Sequence, residues 1–294
     1  MNKMRFERRR ALITGGSSGI GLELACQLAA EGADVAVVAR TQKRLDAAEA
    51  QIEAHARPGG RVLTRALDIT DRDAVNQTCR ELADRLGRID LLVCNAGAAH
   101  AAAAHNTPYQ VYRSLMEVNY FGTVNTIQSL LDVFMGQGHG QIVAVASIAG
   151  FLGVYGYTAY APTKFALAGY MDCLRQELHP HGVTVSVVYP GNTDTPQLAA
   201  ENQTRPEGTR IVQGKGKVMS AKAVAKQAIN GIALGRATIL PGVEGKLLHW
   251  ANRLVPELMR RGIQRSLARS KPDELALVPA SSKNRSQPME QPNE

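Results

Sequence analysis

The sequence predicts an α/β fold: a single domain on a doubly wound parallel sheet, with helices on both faces. Three observations predict it. Short runs rich in β-branched residues alternate along the chain with helix-length stretches. Those short runs lack polar–apolar alternation, as strands buried on both faces do. Of the 294 residues, 45% are apolar, enough to fill a sizeable core and to exclude wholesale disorder.

The elements follow in order. Residues 11–14 form the first strand, and a glycine-rich turn leads into a helix over 19–30. Gly32 stands where that helix needs a left-handed residue to end. A strand over 35–39 precedes a helix over 42–55, and a strand over 62–67 precedes a helix over 72–86 closed by Gly87. After a strand over 91–94, Thr107 is placed to cap a long helix over 108–135 with Pro108 as its first residue. A strand over 142–146, a helix over 160–179 and a strand over 183–189 complete the alternation. Residues 192–220 are polar and carry Pro196, Pro206, Gly208, Gly214 and Gly216, so they read as a mobile excursion that would cover a substrate. A helix over 221–234 and a strand over 238–240 close the sheet. The domain therefore spans 11–245. A basic segment (1–10) precedes it, and basic amphipathic helices (246–271) and a disordered-type tail (272–294) follow.

Charge is uneven along the chain. Lys and Arg total 34 against 26 Asp and Glu, a net +8. Residues 1–10 hold five basic and one acidic, residues 246–271 seven and one, whereas 11–245 balance at twenty each. Nucleic-acid binders carry their positive charge on the folded body, so nucleic acid is not an expected partner. Basic ends suit anionic lipid head groups, or solubility alone. In 246–271, Leu247, Leu248, Ala251, Leu254, Val255, Leu258 and Met259 recur at helical spacing, with Trp250 near an edge and Arg253, Arg260 and Arg261 opposite. Pro256 divides this stretch into two short helices. Such a face either lies in a membrane interface as a peripheral contact or packs on the enzyme's own sheet or a subunit partner. No apolar run reaches the ~18–20 residues of a spanning helix, and the basic start runs into a strand rather than a secretory signal. The four cysteines, Cys26, Cys79, Cys94 and Cys173, form no C-x-x-C pair and read as small buried hydrophobes in a reducing compartment, which points to the cytoplasm. No metal is expected.

Three sets of residues carry chemistry. Thr14, Gly15, Ser17, Ser18, Gly19, Ile20 and Gly21 form the turn between the first strand and the first helix. Glycines there let the backbone approach a pyrophosphate, whose charge the helix N-terminus favours. The second strand ends Ala39-Arg40 with no acidic residue to hold a ribose diol; Arg40, aided by Ser17, Lys43 and Arg44, suits a 2′-phosphate and so NADP(H), unless it is only a solvated helix-entry residue. Asp68 either accepts from an adenine amine or caps the next helix. Tyr160 and Lys164 stand four apart on one helix face, with Ser147 at the end of a strand. A neighbouring ammonium and a nicotinamide cation favour the phenolate, so they are expected to lower the tyrosine pKa towards the working range.

These residues resemble the short-chain dehydrogenase/reductase family over about 11–242. The turn is similar to its TGxxxGxG pattern, and Cys94-Asn95-Ala96-Gly97 to its NNAG pattern with Cys for the first Asn. The resemblance implies a Rossmann-type fold and a catalytic tetrad of Asn119, Ser147, Tyr160 and Lys164. It has Lys164 also binding the nicotinamide ribose, Asn119 helping to hold a relay water and Asn95 bracing the central strands. Asn95, Ala96 and Gly97 would line the dinucleotide site, as would Pro190, Gly191, Thr193 and Thr195, with Thr195 on the carboxamide. By the same resemblance, the helices over 108–135 and 160–179 form a homodimer or homotetramer interface. Residues 156–160, 189–196 and 201–207 further resemble the 3-ketodihydrosphingosine reductases, implying NADPH-dependent reduction of a long-chain, lipid-like ketone in sphingolipid biosynthesis. The alternatives are a reductase of a steroid, 3-oxoacyl or xenobiotic carbonyl, or a non-catalytic NADP-binding scaffold at a membrane.

Overall fold

In chain order the strands are β1 (Arg10–Thr14), β2 (Asp34–Ala39), β3 (Val62–Ala66), β4 (Leu91–Cys94), β5 (Gly140–Val145), β6 (Val183–Val188), β7 (Thr193–Asp194), β8 (Met219–Ser220) and β9 (Thr238–Ile239). The helices are α1 (Gly19–Ala30), α2 (Gln42–Glu53), α3 (Arg72–Leu86), α4 (Tyr109–Met116), α5 (Gly122–Gln128), α6 (Leu131–Gln137), α7 (Ala161–Leu178), α8 (Pro196–Thr204), α9 (Glu207–Gln213), α10 (Ala221–Ala233), α11 (Val243–Leu254) and α12 (Pro256–Ala268). The computed structural model describes residues 5–214 and 216–268.

Seven strands lie in the order β3-β2-β1-β4-β5-β6-β9, every neighbouring pair parallel. The order switches direction between β1 and β4, which opens a crevice beyond the C-terminal ends of these strands. Thr14 pairs with Cys94 and Cys94 with Ala144, so the loops leaving β1, β4 and β5 start level with one another. Successive strand residues face opposite sides. Leu12, Leu92 and Ile142 meet Leu82, Phe134 and Met171 on one face, while Ile13, Val93 and Val143 meet Leu24, Leu28 and Ile229 on the other. Both faces are buried, which is why the strand sequences show no alternation.

Three expectations change. The helix read over 108–135 is interrupted: a π-helical turn at Glu117–Phe121 joins α4 to α5, and Ser129-Leu130 separate α5 from α6. Hydroxyls explain the bending, because Thr123, Thr126 and Ser129 each donate back to a carbonyl of the preceding turn at 2.8–3.2 Å. Thr107 is not the cap. Its hydroxyl donates backward to the Ala103 carbonyl at 3.0 Å, and Pro108 takes the cap position. The polar excursion is folded, with β7 pairing β8 and α8 and α9 between them; the Thr195 hydroxyl caps α8 by accepting from the Leu198 N–H at 3.2 Å.

The flanking segments also become specific. Of the basic N-terminal segment, residues 1–4 lie outside the described residues. Phe6 is buried, and Arg5 pairs with Glu31 and donates to Asn230 at 2.7 Å, so 5–10 is docked on the domain. Pro256 opens α12, as its position predicts. The Asn252 amide donates to the Phe151 carbonyl at 2.8 Å, and α12 packs on α9. Leu248, Ala251 and Met259 are half-buried, whereas Val243, Leu247, Trp250, Leu254 and Leu258 form an exposed stripe. Residues 269–271 and the tail 272–294 lie outside the described residues. Cys26, Cys79 and Cys94 are buried, but Cys173 is exposed on the outer side of α7. No described helix is long and apolar enough to cross a membrane.

Candidate active site

The glycine-rich turn occupies the crevice between β1 and β4. Gly15 has φ +66°, and a Cβ on it would lie 2.7 Å from the Ala96 Cα. At Gly21 a Cβ would meet the Gly15 carbonyl oxygen at 2.4 Å, so any side chain there pushes α1 off the turn. The turn is braced from β4. The Asn95 amide donates to the Thr14 and Gly15 carbonyls at 3.2 and 3.0 Å, and the Thr14 hydroxyl accepts from the Asn95 and Ala96 N–H groups at 3.1 Å each. Ser18 at the N-cap makes no side-chain cap bond, and no acidic residue stands in the first turn of α1. The helix dipole is thus uncompensated where a pyrophosphate would lie, so these residues fit a dinucleotide.

The other predicted binding residues leave the same edge. Arg40 follows β2 and Arg44 lies in the first turn of α2, both exposed. Asp68 follows β3, and its carboxylate accepts from the Thr70 N–H and hydroxyl at 2.9 and 2.8 Å. The cap of α3 is Asp71 instead. Pro190 and Gly191 follow β6, and Thr195 lies against Gly19, whose added Cβ would be 3.1 Å from the Thr195 methyl. The Thr193 hydroxyl donates to the Gly191 carbonyl at 2.9 Å, which fixes this loop over the turn.

Tyr160 stands at the N-terminal end of α7 and Lys164 one turn on, both almost fully buried. The Lys164 ammonium is 5.8 Å from the Tyr160 ring centroid and donates to the Val145 carbonyl at 3.2 Å. That single protein acceptor leaves donors of a buried cation for a ligand. Ser147 follows β5, accepts from the Ala149 N–H at 3.1 Å and stands beside the Tyr160 hydroxyl. Asn119 sits fully buried in the π-helical turn. Its amide donates to the Ala98 carbonyl and the Thr163 hydroxyl, both at 2.9 Å, and its oxygen accepts from the Ala98 N–H at 2.8 Å. A Cβ on Gly97 would come within 2.9 Å of that oxygen and 3.4 Å of the Lys164 nitrogen. The Asn119 amide thereby braces the loop after β4 against α7.

Burial sets the electrostatics. It brings the Lys164 ammonium down to about 8 and pushes the Tyr160 phenol well up, with the Ser147 hydrogen bond opposing and the nearby Glu201 and Tyr157 adding to the rise. Without nucleotide, desolvation dominates at Tyr160 and disfavours its charged form, as it does that of Lys164. Tyr160 stays a neutral proton donor at neutral pH.

The profile described as short chain dehydrogenase matches residues 9–206. The chain belongs to the short-chain dehydrogenase family. Among curated relatives, it is 35% identical over 239 residues to a 3-ketodihydrosphingosine reductase of Bos taurus, covering 81% of this chain and 72% of that one. It is 36% identical to a 3-dehydrosphinganine reductase of Arabidopsis thaliana, covering 83% and 73%. The solved structure of levodione reductase superposes with a TM-score of 0.75 at 26% identity, covering 83% of this chain and 99% of that one. As a short-chain dehydrogenase, the chain is an oxidoreductase, and family and fold together imply a nicotinamide cofactor. Sequence reasoning missed Thr163, whose hydroxyl donates to the Tyr160 carbonyl at 2.7 Å while accepting from Asn119, tying the tetrad together. Only its place between Tyr160 and Lys164 could have flagged it.

Proposed function

We propose that this chain reduces 3-ketodihydrosphingosine to sphinganine with NADPH. The observation that carries the reductase chemistry is the buried Tyr160 hydroxyl, beside Ser147 and one helical turn from Lys164, at the edge where the dinucleotide turn ends. Relatives named for that ketone support the substrate. An acid-free end to β2, with Arg40 and Arg44 exposed just after it, supports the 2′-phosphate of NADP(H).

The turn at Thr14, Gly15, Ser17, Ser18, Gly19, Ile20 and Gly21 would hold the pyrophosphate, Asp68 the adenine amine, and Asn95, Ala96 and Gly97 the middle of the cofactor. Pro190, Gly191, Thr193 and Thr195 would hold the carboxamide, and Lys164 the ribose hydroxyls. When bound, the reduced nicotinamide supplies a hydride to a carbonyl carbon. Ser147 donates a hydrogen bond to the carbonyl oxygen and fixes its direction. Tyr160, held neutral by burial, gives that oxygen its proton. An alkoxide is far more basic than a phenolate, so the transfer runs downhill despite the raised phenol pKa. Lys164 places its charge beneath the ring and offsets the phenolate left behind. Asn119 is a positioning residue that holds the loop after β4 against α7.

Turnover of a ketone panel tests the reading, followed as loss of NADPH. The expected result is fastest reduction of 3-ketodihydrosphingosine among long-chain, steroid, 3-oxoacyl and xenobiotic ketones, with NADPH preferred over NADH by about tenfold or more, the worth of one charge-assisted contact. Indifference to that ketone overturns the substrate, and no turnover with any ketone leaves a dinucleotide-binding scaffold.

The exposed stripe on α11 and α12 supports peripheral contact with an anionic membrane surface, where a long-chain substrate dissolves. Val243, Leu247, Trp250 and Leu254 recur at helical spacing along α11, and Leu258, Arg253, Arg260 and Arg261 are exposed as well. The full chain is expected to float with phosphatidylserine vesicles and not with neutral ones. Changing Leu247, Trp250, Leu254 and Leu258 to serine is expected to abolish flotation; unchanged flotation of that variant places the contact elsewhere. Phe121, at the α4–α5 junction, and Phe165, on α7, are exposed, which supports self-assembly through these helices.

A further inference from the structure

Beside Tyr160 lies a buried polar cluster that the mechanism above does not use. The Tyr157 ring centroid is 5.5 Å from that of Tyr160. Its hydroxyl donates to Glu201 Oε1 on α8, and the same oxygen accepts from Arg205 Nη2 at 2.9 Å. Arg205 and Gln213 also reach the Tyr157 oxygen at 3.4 Å. The side chains of Arg205 and Glu201 are 9% and 8% exposed.

Two features show that the cluster is incomplete as a packing device. Both bonds to the carboxylate fall on Oε1. Among the described residues Oε2 accepts none, yet it is not among the sealed atoms that lack a partner, so it borders open space. Arg205 Nε is sealed in and unpartnered. A buried ion pair rarely stabilises a fold more than apolar packing of the same volume would. Glu201 also works against the reaction as it stands, because its negative charge opposes ionisation of Tyr157 and Tyr160. A cation on the substrate, held between carboxylate and phenol, would cancel that opposition and use the free oxygen.

We propose that Glu201 is a specificity-determining residue that binds, through Oε2, a protonated amine on the carbon next to the reduced carbonyl. Arg205 and Tyr157 hold the carboxylate in place through Oε1. The inference rests on the proposed substrate, 3-ketodihydrosphingosine, which carries an amine on the carbon beside its keto group, and deepens that reading: the fold selects a long-chain ketone with an adjacent ammonium over the same ketone without one. It also gives the folded excursion a purpose, since Glu201 and Arg205 both lie within it or at its turn.

The test compares kcat/KM on two ketones of identical chain, one with a free amine beside the carbonyl and one with that amine acetylated. The wild-type protein is expected to prefer the free amine by about 100-fold, the scale of a desolvated charge-assisted hydrogen bond. Glu201→Gln is expected to bring that ratio close to one, and Glu201→Asp to restore part of it. The ratio is independent of the fraction of folded protein, so a merely structural role, which lowers both rates together, overturns the proposal. If Glu201→Gln does not fold, Glu201→Gln combined with Arg205→Met removes both charges and reads the same ratio. Without any variant, a long-chain amino alcohol should inhibit the wild-type protein far more strongly than its N-acetyl derivative, and equal inhibition overturns the proposal. Wild-type protein that reduces the amino ketone with no preference overturns this inference alone. Wild-type protein that reduces other ketones but not the amino ketone overturns the substrate reading with it.

Discussion

Tyr160→Phe is expected to lower kcat by roughly 100-fold or more, the range of acid catalysis by one positioned group, and to leave NADPH binding near its wild-type level. The change removes one oxygen from a side chain that is 7% exposed, so the ring keeps its packing against Tyr157 and the Lys164 ammonium. The stability cost is at most one polar contact, with the neighbouring Ser147, about 1 kcal/mol. Loss of turnover therefore cannot be ascribed to unfolding, and a thermal melt beside the rate measurement keeps the two apart. Nucleotide affinity is read by fluorescence titration. Near-normal turnover in this variant would remove Tyr160 from the chemistry and with it the role given to Ser147. The raised phenol pKa adds a second signature: the reduction rate of wild-type protein should show no fall from Tyr160 ionisation anywhere near neutral pH.

Much of this was legible in the sequence, for reasons particular to each part. The sheet was readable because its central strands β1, β2, β4, β5 and β6 bury both faces, so their runs of Val, Ile and Leu stand out from the helices between them. The dinucleotide turn was readable because Gly15 and Gly21 occupy positions where backbone approaches backbone too closely for any Cβ. Tyr160 and Lys164 were readable from a four-residue spacing that survives even with Tyr160 at the end of α7. What stayed hidden depends on partners distant in sequence or on backbone competition. The bends in the 108–135 stretch come from threonine and serine hydroxyls that choose carbonyls over solvent, a choice that propensity does not record. The folding of 192–220 depends on β7 finding β8 across 26 residues and on Tyr157 meeting Glu201 across 44. The bracing role of Asn119 was hidden, since its bonds to Ala98 and Thr163 exist only once the π-helical turn, α7 and the loop after β4 come together. The sign of the shift on Tyr160 was hidden for a related cause, since sequence shows a neighbouring cation but not the desolvation that outweighs it.

Lys164→Met should separate function from stability in opposite directions. On the functional side, removal of the ammonium takes away the charge beneath the Tyr160 ring and the donors proposed for the ribose. Both kcat and nucleotide affinity are therefore expected to fall, kcat/KM by about 1,000-fold. On the stability side, the protein measured without nucleotide is expected to gain. The lysine pKa drops from its ordinary 10.5 to about 8 because burial disfavours the charged form, and that gap corresponds to about 3 kcal/mol. Below pH 8 the folded protein carries this penalty in full, since the group is protonated in both states but desolvated in one. Between pH 8 and 10.5 the unfolded chain binds the proton and the folded chain does not, so wild-type stability rises with pH through that window. Methionine fills a similar volume without charge and strands only the Val145 carbonyl, about 1 kcal/mol. The net gain at pH 7 is about 2 kcal/mol, a rise in Tm of about 5 °C for a chain of this size. The variant should also lose the climb between pH 8 and 10.5. Melting curves of both proteins across that range check each part. Parallel pH profiles would show that Lys164 is not the desolvated group, and a stable variant with intact turnover would show that its buried charge does nothing for the reaction. A Tm that rises while activity collapses would identify a cation that the fold tolerates at a cost because the chemistry uses it.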